Sequence, residues 1–401
     1  ELGQRYRELR GLLPGLAVLD LARVRTSDSF VRLGLGVGVG LALQPLAYLW
    51  PTLAGLAVTA RVWWVVLALS AVVVAAGARR RRWTSGRVPG RTGPDRPRPA
   101  WPALALVGLL AIVAASRWWA VREVGVPLWG DSLHHAMIAR LIGLAHGVPT
   151  DWQPLAALSS FTYHFGLHAG VATLAALTGL PEHRALLVAG QALSMLQPLS
   201  AYALAAGLTG RPWAGVAAAL AAGGLSPMPA WYVNWGRYTQ LAGQVILPAA
   251  ALAAAAAARR PGAVDADGEA ARAAPGSAAP SGPCGADGLG AAMGSPAGRL
   301  RRRGVTGGPA GPVAVAALLA AGLALTHYLV FAFLLLFLAA FWLASPGERR
   351  LPALRLAAIL AAALALVAPW LPRLADSIIA RAAAAMLSGG LSDPDVYGVV
   401  A

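Results

Sequence analysis

The run "FGLHAGVATLAALTGL", residues 165 to 180, decides how this chain is threaded. It is apolar enough to enter a bilayer, yet shorter than the roughly 20 residues a crossing helix needs. It also carries His168, with His164 just before it. If it crosses a membrane, every later helix reverses direction, so its surroundings have to settle the matter.

Those surroundings belong to a membrane protein. The 401 residues are 57% hydrophobic and only 12% charged, too little charge for the surface of a soluble domain of this length. The runs "LGLGVGVGLALQPLAYLW" (33–50), "VWWVVLALSAVVVAAGA" (62–78) and "WPALALVGLLAIVAASRWW" (101–119) each approach or exceed the roughly 18 residues of a spanning helix. The expected fold is all-α: a polytopic transmembrane helical bundle with an outer-face loop carrying surface helices. The single Cys284 excludes a disulfide framework within the chain. The sequence opens at Glu1 without methionine and reads as a fragment of a longer protein.

All 33 basic residues are arginine, and the net charge is +16. Charge of that size can signal nucleic acid, but its placement follows the positive-inside bias of membrane proteins. Arg79 to Arg82, Arg87, Arg91, Arg96 and Arg98 face one Asp95; Arg299 and Arg301 to Arg303 form a second cluster; Arg349, Arg350 and Arg355 form a third. The partners read from this charge are membrane lipids, not nucleic acid. The stretch 259–312 is rich in Gly, Ala, Pro and Ser and lacks hydrophobic periodicity, the composition of a disordered cytoplasmic loop. It divides the helices of 1–258 from those of 313–401.

With 79–99 inside, the span 101–119 runs outward. If 165–180 then crossed, the later arginine clusters would fall on the outside. It is therefore expected to lie along the outer surface. The spans become 33–50, 62–78, 101–119, 184–208, 212–226, 241–258, 313–325, 329–344 and 356–371. The outer segments become 120–183, 226–240, the turn "THY" (326–328) and everything after 371.

Six of the seven histidines then fall in the one outer segment 120–183, beside Asp131, Asp151 and Tyr163. Leu133, Met137, Leu141 and Leu144 have the spacing of an amphipathic helix lying on the membrane. Asp131 sits at its start, where it either caps free backbone donors or serves as a base for an attacking hydroxyl. His134 and His135, three and four residues on, can share its face, and His164 and His168 are themselves four apart. These imidazoles either shape a pocket or, with Asp131, hold a divalent metal ion; His146 and His183 read as solvated loop residues. A second outer segment, "SPMPAWYVNWGRYTQLAGQ" (226–244), breaks its helix with two prolines and brings Asn234, Arg237, Tyr238 and Gln240. Polar groups at a broken helix near a membrane surface line cavities. Arg237 and Arg184 are outside arginines, against the bias; each either snorkels to ordinary headgroups or binds a lipid-linked phosphate through its planar fork of donors. His327, in the "THY" turn, is grouped with the binding residues.

The order of these features resembles the glycosyltransferase C superfamily, which includes protein O-mannosyltransferases and aminoarabinose transferases. The features are an acidic residue after an early span, a surface helix, "FTYHFGLHA" (161–169), a short helix ending "TGL", and an arginine opening the next span. The stretch "AWYVNWGRYTQLAGQ" (230–244) is similar to one in uncharacterised bacterial members, and the resemblance covers about residues 100 to 345. It implies that Asp131 holds the catalytic acidic position, that Tyr163 and His164 open the second surface helix, and that Arg184 is the arginine of the next span. It also implies a polyprenyl-phosphate sugar donor, a glycan, lipid or protein acceptor, and a place in a bacterial cytoplasmic (inner) membrane with the active site outside. This chain departs from the pattern in having no second acidic residue beside Asp131 and no Pro-Pro in the second helix. A transporter or flippase for a lipid-linked or anionic substrate would use the same arginines. Transport favours internal repeats and ionisable groups deep in the spans, and neither is evident.

Topology reporters fused at residues 147 and 182 should both report the outer side; a cytoplasmic signal at 182 would mean that 165–180 crosses.

Overall fold

The structure, a computed structural model, describes residues 12–85, 100–158, 160–258, 310–344 and 349–375. The expected loop 259–312 lies outside these residues except for its last three, which begin a helix; so do Cys284, the arginines from Arg87 to Arg98 and both chain ends. The described residues form helices and no β-strand, and six of the helices are long and apolar enough to cross a membrane. The chain is an all-α, polytopic integral membrane protein.

Leu12–Leu21 (α1) is a short helix that the length criterion for spans passed over. Ser29–Leu53 (α2) follows, with Asp28 as its N-cap accepting from the backbone N–H groups of Phe30 and Val31. Ala60–Ser85 (α3) and Trp101–Val121 (α4) come next. They keep large apolar side chains exposed, among them Val65, Leu69, Leu104 and Ile112, as a lipid-facing helix does. Gly130–Ala145 (α5) and Gly166–Thr178 (α6) precede the long Glu182–Thr209 (α7). Pro212–Leu220 (α8) passes through a π-turn, Ala221–Leu225, into Met228–Asn234 (α9), and Tyr238–Ala258 (α10) returns. The last helices are Ala310–Thr326 (α11), Tyr328–Ala344 (α12), Arg350–Val367 (α13) and the short Leu371–Ala375 (α14). His327 splits α11 from α12, the division expected over one long tilted helix across 313–344.

The glycines of α2 explain why it sits at the centre. A Cβ at Gly34 would lie 2.5 Å from Ala203 Cβ of α7, one at Gly36 2.8 Å from Leu16 of α1, and one at Gly38 2.4 Å from Ala249 Cβ of α10. Residues two apart on a helix point to nearly opposite faces and residues four apart to the same one, so "LGLGVGVG" admits neighbours on two sides. From α11, Gly322 approaches the same helix: its Cβ would be 2.3 Å from the Ala42 carbonyl oxygen. Small residues let membrane helices approach this closely where hydrophobic driving force is absent.

The bundle has two chemically different ends. At one, Asp20 pairs with Arg32 at 2.8 Å and with Arg81, Tyr202 donates to Asp28, and Arg355 donates to the Ala257 carbonyl. At the other, Val148 N–H donates to Thr52, Arg184 to the Val124 carbonyl and Arg373 to the Pro149 carbonyl. The histidine-bearing helices α5 and α6 sit at this second end.

Within the stretch 165–180, α6 is a helix of 13 residues, shorter than the roughly 20 a crossing needs. Gly166 packs on Thr326 at the C-terminal tip of α11, and after Thr178 the chain opens α7 at Glu182, which accepts from Arg140 of α5 at 3.1 Å. The expectation of a surface helix needs correction, because α6 is pressed into the bundle. Leu167, His168, Ala169, Val171, Ala172 and Thr173 are buried, and Thr173 donates to Gln44 of α2 at 3.1 Å. The expected lipid-facing stripe of α5 is also corrected. Ile138, Ala139, Leu141 and Ile142 are buried against the bundle, while Leu133 and Leu144 are exposed. The span expected at 212–226 continues through the π-turn to Asn234.

Gly38→Val should lower the melting temperature of the detergent-purified protein by an amount equivalent to about 1–3 kcal/mol of overpacking. Gly108→Val, at a position with no atom within 4 Å of an added Cβ, should leave it unchanged.

Candidate functional site

The site is assembled by one glycine. Gly236 stands in the break between α9 and α10 at φ +72, a backbone region open to glycine at little cost. An added Cβ would lie 3.0 Å from Asp131 Cβ and 3.2 Å from Ser132 Oγ. The break is thereby seated on the first turn of α5, and three contacts follow. His135 Nε2 donates to the Gly236 carbonyl at 3.0 Å. Arg237 Nη1 comes to 3.6 Å from Asp131 Oδ2. The Tyr238 ring meets His135 edge-on, centroids 6.1 Å apart.

Asp131 does not cap its helix: the N-cap is Trp129, which makes no side-chain cap hydrogen bond. The carboxylate faces Arg237 instead, and both side chains are about half exposed, 44% and 48%. His134 and His135 also part company. Neighbours on a helix lie about 100° apart, so with His135 buried, His134 points outward and is exposed.

Beneath the ion pair lies a floor of imidazoles. His135 Nδ1 and His168 Nε2 are 3.0 Å apart. A carbonyl only accepts, so the bond to Gly236 fixes the proton of neutral His135 on Nε2. Its bare Nδ1 then accepts from His168 Nε2–H, and the far side of the His168 ring is buried against the backbone of His164 and Phe165. His164, just before α6, stacks on Tyr163 with centroids 4.1 Å apart, and lies 5.1 Å from the ring of His327. His327 Nδ1 accepts from the Val330 N–H at 3.3 Å. Four histidines from three chain segments thus meet in one cluster.

Burial makes them neutral. Desolvation pushes His135 down to about 4, outweighing the Gly236 bond and the Asp131 charge, which act the other way. Desolvation, with His327 and His135 nearby, takes His164 to about 3. His168 is held well below the ordinary histidine range, again chiefly by burial. His327 is lowered by burial and then by the Arg237 charge. Burial raises the Tyr163 phenol, against a bond to Thr239. At neutral pH the enclosure therefore offers hydrogen bonds without charge, and the ionised groups stand above it.

The remaining expected residues scatter. Arg184 donates to the Val124 carbonyl at 3.2 Å and ties the start of α7 to the chain leaving α4. Gln240 and Gln244 both donate to the Tyr232 hydroxyl, at 3.4 and 3.1 Å. Asn234 lines a separate cavity, which Tyr238 also borders. His146 is exposed, its carbonyl accepting from Val58 N–H. Among the described residues no three His, Cys, Asp or Glu side chains are grouped to hold a metal ion, so the structure does not assemble the Asp–His ligand set that the sequence left open. Arg117, four residues from the end of α4, had no role assigned from the sequence; an arginine inside an expected span was the available signal.

Compared with protein-family models, curated proteins and solved structures, the chain matches none. Its resemblance to glycosyltransferase C rests on the quoted motifs.

The acid limb of stability follows from the lowered histidines. An unfolded histidine titrates near 6.5, while His135 and His164 in the folded state bind a proton only at about 4 and about 3. Between those values the unfolded chain holds more protons, so stability falls as pH drops from about 6.5 to about 4. Melting temperatures in detergent should trace this fall, and His164→Phe, which removes one titrating ring from a site where its Nε2 has no partner, should make it shallower.

Proposed function

We propose that this chain is a membrane glycosyltransferase that moves a sugar from a polyprenyl-phosphate donor to an acceptor hydroxyl. The reaction takes place on the outer face of the bacterial cytoplasmic membrane. The observation that carries the reading is the half-exposed Asp131–Arg237 pair, seated over neutral imidazoles at the end of the bundle away from the arginine clusters. The positive-inside bias assigns that end to the outside.

In this reading Asp131 accepts the proton of the acceptor hydroxyl. The hydroxyl oxygen bonds to the anomeric carbon, and the bond from that carbon to the phosphate oxygen breaks, its electron pair leaving with the phosphate. Arg237 has N–H donors beyond the one near Asp131, and these stabilise the departing phosphate. His135, His164, His168 and His327 form a polar but uncharged floor beneath the pair that does not compete for the proton. His134, exposed beside the pair, is free to contact the acceptor. Arg184 acts on the chain entering α5 through its bond to Val124.

Asn retains the side-chain oxygen and shape of Asp and loses its charge, which separates a structural role from a base. Asp131→Asn should fold and insert normally and transfer sugar about a hundred- to ten-thousandfold more slowly, as measured with a radiolabelled polyprenyl-phosphate sugar. Transfer within about threefold of wild type would remove Asp131 from the chemistry.

A further inference from the structure

A second site lies beside the first. Between α4, α7, the π-turn and α9 is a cavity of about 540 Å³, within the size range of small-molecule pockets. Leu128, Leu187, Leu225 and Trp231 make its walls apolar, and Arg117 is its one charged lining residue, with no acidic group among those that line it. The Nε of Arg117 is buried and has no hydrogen-bond partner.

The space is built into the fold. Successive turns of α4 present Leu109, Val113 and Arg117 to the same side. An added Cβ at Gly224 would sit 3.7 Å from Leu109, and one at Gly223 3.4 Å from Val113 and 2.4 Å from Pro198 of α7. The π-turn therefore brings bare backbone against α4 below Arg117, and π-turns recur at functional sites. Above it the chain diverges and the cavity opens. Arg117 lies four residues from the end of α4, about 6 Å along the helix axis, which is the depth of a lipid headgroup's edge rather than of the bilayer centre.

An arginine in apolar surroundings needs a counter-charge or water. Phosphate suits it, since a guanidinium offers two parallel N–H groups to two phosphate oxygens. The neutral polar groups that also line the cavity, Gln191, Asn234 and Tyr238, can hydrogen-bond an anion without opposing its charge. The apolar walls suit a hydrocarbon chain. We propose that this cavity binds a phosphate-bearing lipid, with the phosphate on Arg117 and the chain along α4, α7 and α9. Tyr238 borders both this cavity and His135, so the cavity adjoins the histidine cluster. The proposal does not depend on the transfer reaction, because it concerns binding alone.

The test is direct lipid binding to the full chain, purified in non-ionic detergent, by native mass spectrometry. Farnesyl phosphate, phosphatidylglycerol and the zwitterionic phosphatidylcholine serve as probes. At least one of the two anionic lipids should bind tenfold or more tightly than phosphatidylcholine. Arg117→Gln should abolish that preference, Arg117→Lys should retain part of it, and Ala230→Trp, which fills the cavity and keeps the charge, should weaken binding of every lipid. Asp131→Asn should leave binding within twofold. A preference for farnesyl phosphate would identify an isoprenoid carrier, and equal binding of both anionic lipids a resident phospholipid; either supports the phosphate site. If Arg117→Gln and Ala230→Trp, each melting like wild type, leave anionic preference and affinity unchanged, the proposal is overturned. Loss of transfer in Asp131→Asn with binding intact keeps the two sites' failures apart.

Discussion

Close backbone approach along α2 is the constraint on which the rest of the bundle depends. Inside a membrane, helices gain nothing from hiding apolar surface from lipid, so association rests on van der Waals fit. Gly34, Gly36 and Gly38 each admit a different neighbour, and Ala42 receives Gly322 from α11. With four helices docked around it, α2 carries its last turns to the histidine end. There Tyr48 and Gln44 meet Thr173, and Thr52 takes the Val148 amide. The position of α6, and with it His168, is inherited from that docking.

The same burial sets the chemistry of the site. A histidine in water would be partly charged near neutral pH. Here burial lowers His135, His164 and His168, and at His135 the field of Asp131 is too weak to restore the proton. Charge is confined to the Asp131–Arg237 pair, which remains half exposed. The division between a neutral floor and an ionic rim comes from depth, since residues of the same type, His134 and His135, fall on opposite sides of it.

Much of the fold was legible in the sequence because the bilayer is a simple solvent. Run length and arginine placement respond to its thickness and polarity alone, and the cost of an unpartnered histidine inside a span was enough to divide 313–344 at His327, where the helix breaks. α1 was missed because a helix of ten residues cannot span a membrane, and it is held by contact at Gly15 and Gly36 rather than by its own apolarity. α6 was placed on the surface because hydropathy cannot tell lipid from protein as the apolar neighbour. The grouping of His135, His164, His168 and His327 was partly visible, three of them sharing one outer segment, whereas the separation of His134 and the departure of Arg184 were not.

By itself the sequence determined that this is a helical membrane protein and that most of its histidines gather away from the arginine clusters. These are sums over many residues, each responding to water or lipid, and no tertiary contact is needed to read them. Only the tertiary structure decided that Asp131 faces Arg237 instead of capping its helix, and that His135 bonds His168. It alone gave Arg117 a cavity without a counter-charge. Each of these depends on segments far apart in the chain meeting within a few ångströms, through Gly236 on α5 and the π-turn on α4, and spacing along one segment carries no information about what another segment brings to meet it.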